Sequence, residues 1–90
     1  MAAMNCRGSQ RLQGQAKVWN VYDTTQASRL TDEVQPSFGP FTREAAMSFM
    51  AAHPYPDALY AADWPLNKLG NAIQGTPGCS IIRGGVTPDG

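Results

Sequence analysis

A single histidine, two cysteines and a charged fraction of only 16% leave these ninety residues little equipment for chemistry. Any imidazole chemistry must use His53. A tetrahedral zinc site takes about three or four His, Cys or carboxylate ligands, and His53, Cys6 and Cys79 offer no usable spacing for one. No glycine cluster is followed by Lys and Ser or Thr, which excludes a phosphate-cradling P-loop. No metal and no cofactor is therefore expected. The chain has no apolar run of about 18 residues, which excludes a membrane-spanning helix, and residues 1–16 lack the apolar core of a signal peptide. Small disulfide scaffolds usually carry about four or more cysteines. Cys6 and Cys79, at opposite ends of the chain, therefore read as reduced thiols of a cytoplasmic protein, Cys79 in a buried strand.

Seven basic and seven acidic side chains cancel formally, but unevenly. Arg7, Arg11 and Lys17 have no acid among residues 1–22, so the remainder is net acidic. Three basic residues so widely spread fall short of the dense clusters that mark nucleic-acid patches. Residues 1–16 read as a flexible leader, with a phosphate-binding arm as the alternative.

What the chain does contain is a short series of patterned segments. Lys17 to Asp23 (KVWNVYD) is rich in strand-forming Val, Trp and Tyr. Trp19 and Val21 fall on one face and Val18 and Tyr22 on the other, the pattern of a central strand. Thr24 to Ala27 reads as a polar turn. Ser28 to Val34 alternates Leu30 and Val34 against Arg29, Thr31 and Glu33, which predicts an antiparallel partner strand with one wet face. Phe38 to Thr42 reads as a turn entering a helix. Thr42 is a good N-cap, and Arg43 to Ala52 (REAAMSFMAA) is built of helix formers, with Ala46, Phe49, Met50 and His53 on one stripe. Pro54 ends that helix. Phe49, the largest residue on the stripe, is expected to be buried against the sheet near Trp19 or Tyr22.

Ala58 to Ala62 is compatible with a helical turn or a short strand. Asp63-Trp64-Pro65 reads as a second helix start, with Asp63 as cap, proline in the first turn, and Leu66, Leu69 and Ile73 as its apolar positions. Gly75 supplies the stop. Cys79 to Arg83 (CSIIR) is a last strand. The expectation is one α+β domain over residues 17–83. It comprises a small antiparallel or mixed three-stranded sheet with one main helix and one short helix packed on one face, followed by a flexible tail over 84–90.

Candidate chemistry is sparse. His53 with Glu44, Asp57 or Asp63 has the elements of a general base, but a helix C-terminus favours an imidazole there on dipole grounds alone. Cys79 with His53 would be a thiol–imidazole pair, but a buried strand cysteine behaves as a small hydrophobe. The sequence reads as non-enzymatic. Its most unusual stretch is Pro54 to Pro65 (PYPDALYAADWP), in which Tyr55, Tyr60 and Trp64 stand among three prolines. Aromatic residues on rigid turns are what protein interfaces use as anchors, so these three are the expected partner-binding residues. Tyr55, between two prolines, is the one least able to reach a core. The expected function is that of a small protein-binding domain, accessory or inhibitory, of bacterial or phage character. The alternative is a nucleic-acid-binding domain using the basic arm and the strand aromatics Trp19 and Tyr22, since exposed strand rings can stack on bases.

Overall fold

The computed structural model describes residues 18–75 and 79–85. Four strands, β1 (Trp19–Asp23), β2 (Phe38–Phe41), β3 (Leu59–Ala62) and β4 (Ile81–Arg83), form one antiparallel sheet in the order β2-β1-β3-β4. Two helices, α1 (Arg43–Ala52) and α2 (Leu69–Gln74), complete the α+β fold. The sheet has four strands rather than the three expected. The expected leader 1–16 lies outside the described residues, and the expected tail is described only to Gly85. Gly84 is buried there, and its N–H donates to the Leu59 carbonyl at 2.8 Å.

Strand β1 is central, as its two-sided apolar pattern predicts: Trp19, Val21 and Tyr22 are all buried. The ambiguous segment after Asp57 is the second central strand. In β3 all four residues are buried, and a run of four apolar residues covered on both faces suits a strand and leaves no wet side for a helix. Register pairs Val21 with Ala61 and Tyr22 with Tyr60, so each face of the sheet carries its own core. One core joins Trp19, Val21, Leu59 and Ala61 to Ala46 and Met50 of α1. The other joins Tyr22, Tyr60 and Ala62 to Trp64, Leu66, Val34 and to Leu69 and Ala72 of α2. Buried residues of α1 thus cluster with Val21 and those of α2 with Tyr22, two residues that, adjacent in an extended strand, point opposite ways.

The missing third-strand partner explains the altered sheet. Ser28 to Val34 does not form a strand, because the Asp32 carboxylate accepts from both the Ser28 and Arg29 backbone N–H groups at 2.9 Å. A side chain that satisfies local amides in this way competes with ladder pairing. The folded turn instead docks on the start of α2, where Leu69 and Gly70 N–H donate to the Asp32 and Leu30 carbonyls at 2.9 Å. Val34 is buried and Leu30 is exposed, so the predicted alternation does not survive.

The partner of β1 is the segment that reads as a turn, Phe38-Gly39-Pro40-Phe41. Proline is tolerated there because β2 is an edge strand. Gly39 has φ +130°, a conformation closed to most L residues, and a Cβ there would lie 2.7 Å from Asn20 Oδ1. The Gly39–Pro40 peptide is cis.

Helix α1 matches its expected bounds, with the Thr42 hydroxyl accepting from Ala45 N–H at 3.1 Å. The second helix starts five residues later than an Asp63 cap predicts, at Leu69 with Lys68 in the cap position. Asp63 instead bonds across to Ser80, donating its N–H to the Ser80 carbonyl and accepting the Ser80 N–H on Oδ1 at 3.3 Å. Trp64 and Leu66 are thereby buried in extended chain, the Leu66 N–H donating to the Tyr22 hydroxyl at 3.2 Å. With Leu69 as its first residue, α2 turns Ala72 inward and leaves Ile73 exposed. Cys79 is half-buried against the α2-side core and is disulfide-bonded, not a reduced thiol. The other cysteine, Cys6, lies outside the described residues.

Candidate interaction surface

Of the three expected anchors, the structure exposes one. Tyr55 is 69% exposed, whereas Tyr60 and Trp64 retain 7% and 4% and belong to the α2-side core. They cannot grip a partner without leaving that core. Trp64 Nε1 is buried with no hydrogen-bond acceptor among the described residues, and the indole borders a shallow pocket of about 190 Å³ shared with Val18, Asn20, Asp63 and Pro65. Trp19 and Tyr22, the rings proposed for base stacking, are both buried and present no face to a nucleic acid.

What Tyr55 does join is a set of rings from three separate elements. Phe38 and Phe41 of β2 are three residues apart, a spacing that in a regular strand would send them to opposite faces. The register shift opposite Trp19–Val21, where Phe41 pairs with Trp19 and Phe38 with Val21, inserts one extra residue. Such a bulge re-aims the following side chain, and both phenylalanines come to the α1 side of the sheet.

There they meet Phe49, whose ring centroid lies 5.3 Å from that of Phe41 and 4.6 Å from that of Phe38. Phe49 is half-buried at the rim of the α1-side core rather than at its centre, which corrects the expectation of full burial. His53, one helical turn further on, lies 6.1 Å from Phe38 and 6.2 Å from Phe49. The Tyr55 ring follows at 6.5 Å from His53, edge-on. Offset and tilted pairs at these separations are the favoured aromatic geometry. The strip thus runs Phe41, Phe49, Phe38, His53, Tyr55, from half-buried to exposed, with Phe38 at 36% exposure.

Its exposed end is held in place by the backbone. His53 caps α1, its N–H donating to the Met50 carbonyl at 3.1 Å. Nδ1 of the same ring accepts the Tyr55 N–H at 3.1 Å. A 3₁₀ turn over Pro56–Ala58 follows, and Gly84 packs so tightly beneath it that a Cβ would collide with the Pro56 carbonyl.

Arg43 and Glu44 stand in the first turn of α1, about 14 Å from His53 at about 1.5 Å rise per residue but directly after Phe41-Thr42, and Asp57, exposed two residues beyond Tyr55, lies against Gly85. Among the described residues no three His, Cys, Asp or Glu side chains gather as a metal site, and no helix is long and apolar enough to cross a membrane.

Sequence reasoning located Tyr55 but missed Phe38, Phe41, Phe49 and His53 as members of the same strip. The apolar residues flanking Gly-Pro were the available signal, obscured because Gly-Pro reads first as a turn. Comparison of the chain with family models, with curated proteins and with solved structures finds no match.

Proposed function

We propose that this protein is a non-catalytic binding module that docks a protein partner through the aromatic strip ending in Tyr55. The observation that carries the reading is the exposure of Tyr55 at 69% on a turn fixed by its own N–H bond to His53. A large apolar ring held in water gains by burial, and because its turn is already ordered, little conformational entropy is lost when it is gripped. Phe38 and Phe49 behind it extend the apolar area without adding charge. The reading keeps one of the three anchors expected from sequence, Tyr55, and adds the neighbouring rings Phe38, Phe41, Phe49 and His53, none of which the sequence suggested as a partner-binding residue.

The accessory or inhibitory role remains the expected class. The expectation of a cytoplasmic location rested on reduced thiols. With Cys79 oxidised that ground is gone, and an oxidising compartment is where such a bond persists. Alkylation of thiols in freshly opened cells tests this: Cys79 protected from the reagent until reduction supports an oxidising location, and immediate labelling contradicts it.

Photo-crosslinking from position 55 tests the docking surface itself. A photoreactive phenylalanine analogue at 55 should join the module to one defined protein, while the same analogue at Ile73, another exposed apolar site, on α2, should not. Identical products from both positions, or none from 55, would remove the reading.

A further inference from the structure

Cys79 is oxidised, and the sequence holds one other cysteine, Cys6. We infer that the two are joined within one chain, so that the protein's redox state decides whether its N-terminal segment is fastened to the α2-side core.

Two partners are chemically open to Cys79: Cys6 of its own chain, or a cysteine of another molecule. Position and reach favour the first. Cys79 is half-buried against the α2-side core, and its neighbour Ser80 is held by Asp63 through both its N–H and its carbonyl. Asp63 also borders the pocket that Val18 lines, so the chain enters the described fold close to the segment that carries Cys79. Residues 6–17 span up to about 40 Å at about 3.4 Å each, more than the protein's longest dimension of 36 Å. The tether therefore reaches Cys79 from that entry point without disturbing a strand. A thiol on so short a tether meets its target at an effective concentration on the order of millimolar. A second molecule supplies only its bulk concentration, about a thousandfold lower in a micromolar solution, so closure within the chain wins.

Closure is a thiol–disulfide exchange. One thiolate attacks a small-molecule disulfide such as oxidised glutathione, giving a mixed disulfide and one released thiol. The second thiolate then displaces the remaining glutathione, so the cysteine pair gives up two electrons and two protons and two glutathione thiols form. A reducing thiol pool reverses both steps. The fastened segment carries Arg7 and Arg11 and no acid. The bond also closes a loop that contains β1, β2, β3 and both helices. Such a loop removes conformations from the unfolded chain and so stabilises the folded one.

The test uses the full chain, equilibrated with oxidised glutathione and digested without reductant. Trypsin should release residues 1–7 and 69–83 as one disulfide-linked species that separates on reduction, and the undigested protein should run as a monomer. The oxidised chain should melt about 10 °C or more above the reduced one. Cys6→Ser should lose the linked species and melt with the reduced chain in either buffer. If the reduced chain is too unstable to melt cooperatively, Cys6→Ser should fail with it, the same result at larger magnitude. A species pairing two copies of 69–83, free thiols or glutathione on both cysteines after oxidation, or a melting temperature indifferent to reduction would overturn the inference. So would a redox-dependent melting temperature that persists in Cys6→Ser.

Discussion

The backbone N–H of Tyr55 donates to Nδ1 of His53 across 3.1 Å, so the residue that ends α1 also orients the most exposed ring of the aromatic strip. Proline on both sides of Tyr55 restricts the turn, and this bond fixes where the turn stands. In His53→Ala the Tyr55 amide should exchange with solvent faster, while the amides of β1 and β3 keep their protection. The loss of a half-exposed hydrogen bond should cost about 0.5–1.5 kcal/mol. Unchanged exchange at Tyr55 would show that the prolines alone hold the turn.

Met50, not Phe49, is the keystone of α1. Met50 is fully buried among Trp19, Val21 and Leu59, whereas Phe49 sits at the rim. Met50→Ala should therefore cost about 2–5 kcal/mol in a urea melt, near the upper end of what a small domain can lose. Phe49→Ala should cost less. A larger loss for Phe49 would put the packing face of α1 elsewhere.

Gly84 sets the distance between β4 and the turn that presents Tyr55. A Cβ at this position would meet the Pro56 carbonyl and come within 3.0 Å of the Leu59 carbonyl, both backbone groups. Gly84→Ala should destabilise by about 1–3 kcal/mol and shift the amide signals of residues 54–58. A neutral substitution would mean that the turn is free to move away.

Two groups give the stability a defined pH dependence. Burial raises the pKa of the Tyr22 hydroxyl above its ordinary 10.0, with the Leu66 N–H opposing. The folded chain then holds this proton more tightly than the unfolded one. Its contribution is complete below about pH 10 and is lost as pH rises from there through the folded value. Asp32 is shifted the other way: the Ser28 and Arg29 N–H groups lower its pKa below 3.8. Its contribution is present above that pH and lost as pH falls through the folded value. Melting curves should therefore show Tyr22→Phe flattening the alkaline decline and Asp32→Asn flattening the acid one. Tyr22→Phe should carry an added cost of about 1–3 kcal/mol at neutral pH, because the buried Leu66 N–H loses its acceptor.

Where sequence and structure agree, local and tertiary forces point the same way. Thr42, the alanine-rich run and Pro54 all specify α1, and the two-sided pattern of β1 specifies a central strand. Where they part, one side chain redirects the backbone. Asp32 satisfies two amides of its own segment, so an alternating stretch becomes a turn. Asp63 bonds to Ser80 instead of capping a helix, so Trp64 enters the core. The apolar ends of Phe38–Phe41 outweigh the turn signal of Gly-Pro, because β1 needs an edge partner that can face α1. The candidate site was legible only at Tyr55, which its flanking prolines keep from the core. The rest of the strip depends on a bulge that brings Phe38 and Phe41 to one face, and such a register shift leaves no periodic trace in the sequence.

The central claim is that Tyr55 serves binding and not stability. The most direct test is to measure both for Tyr55→Ala, with the protein crosslinked from position 55 as ligand. At 69% exposure the substitution should change stability by no more than about 0.5 kcal/mol while raising Kd about tenfold or more. A Kd equal to that of the unaltered protein, or a large loss of stability with affinity retained, would contradict the account.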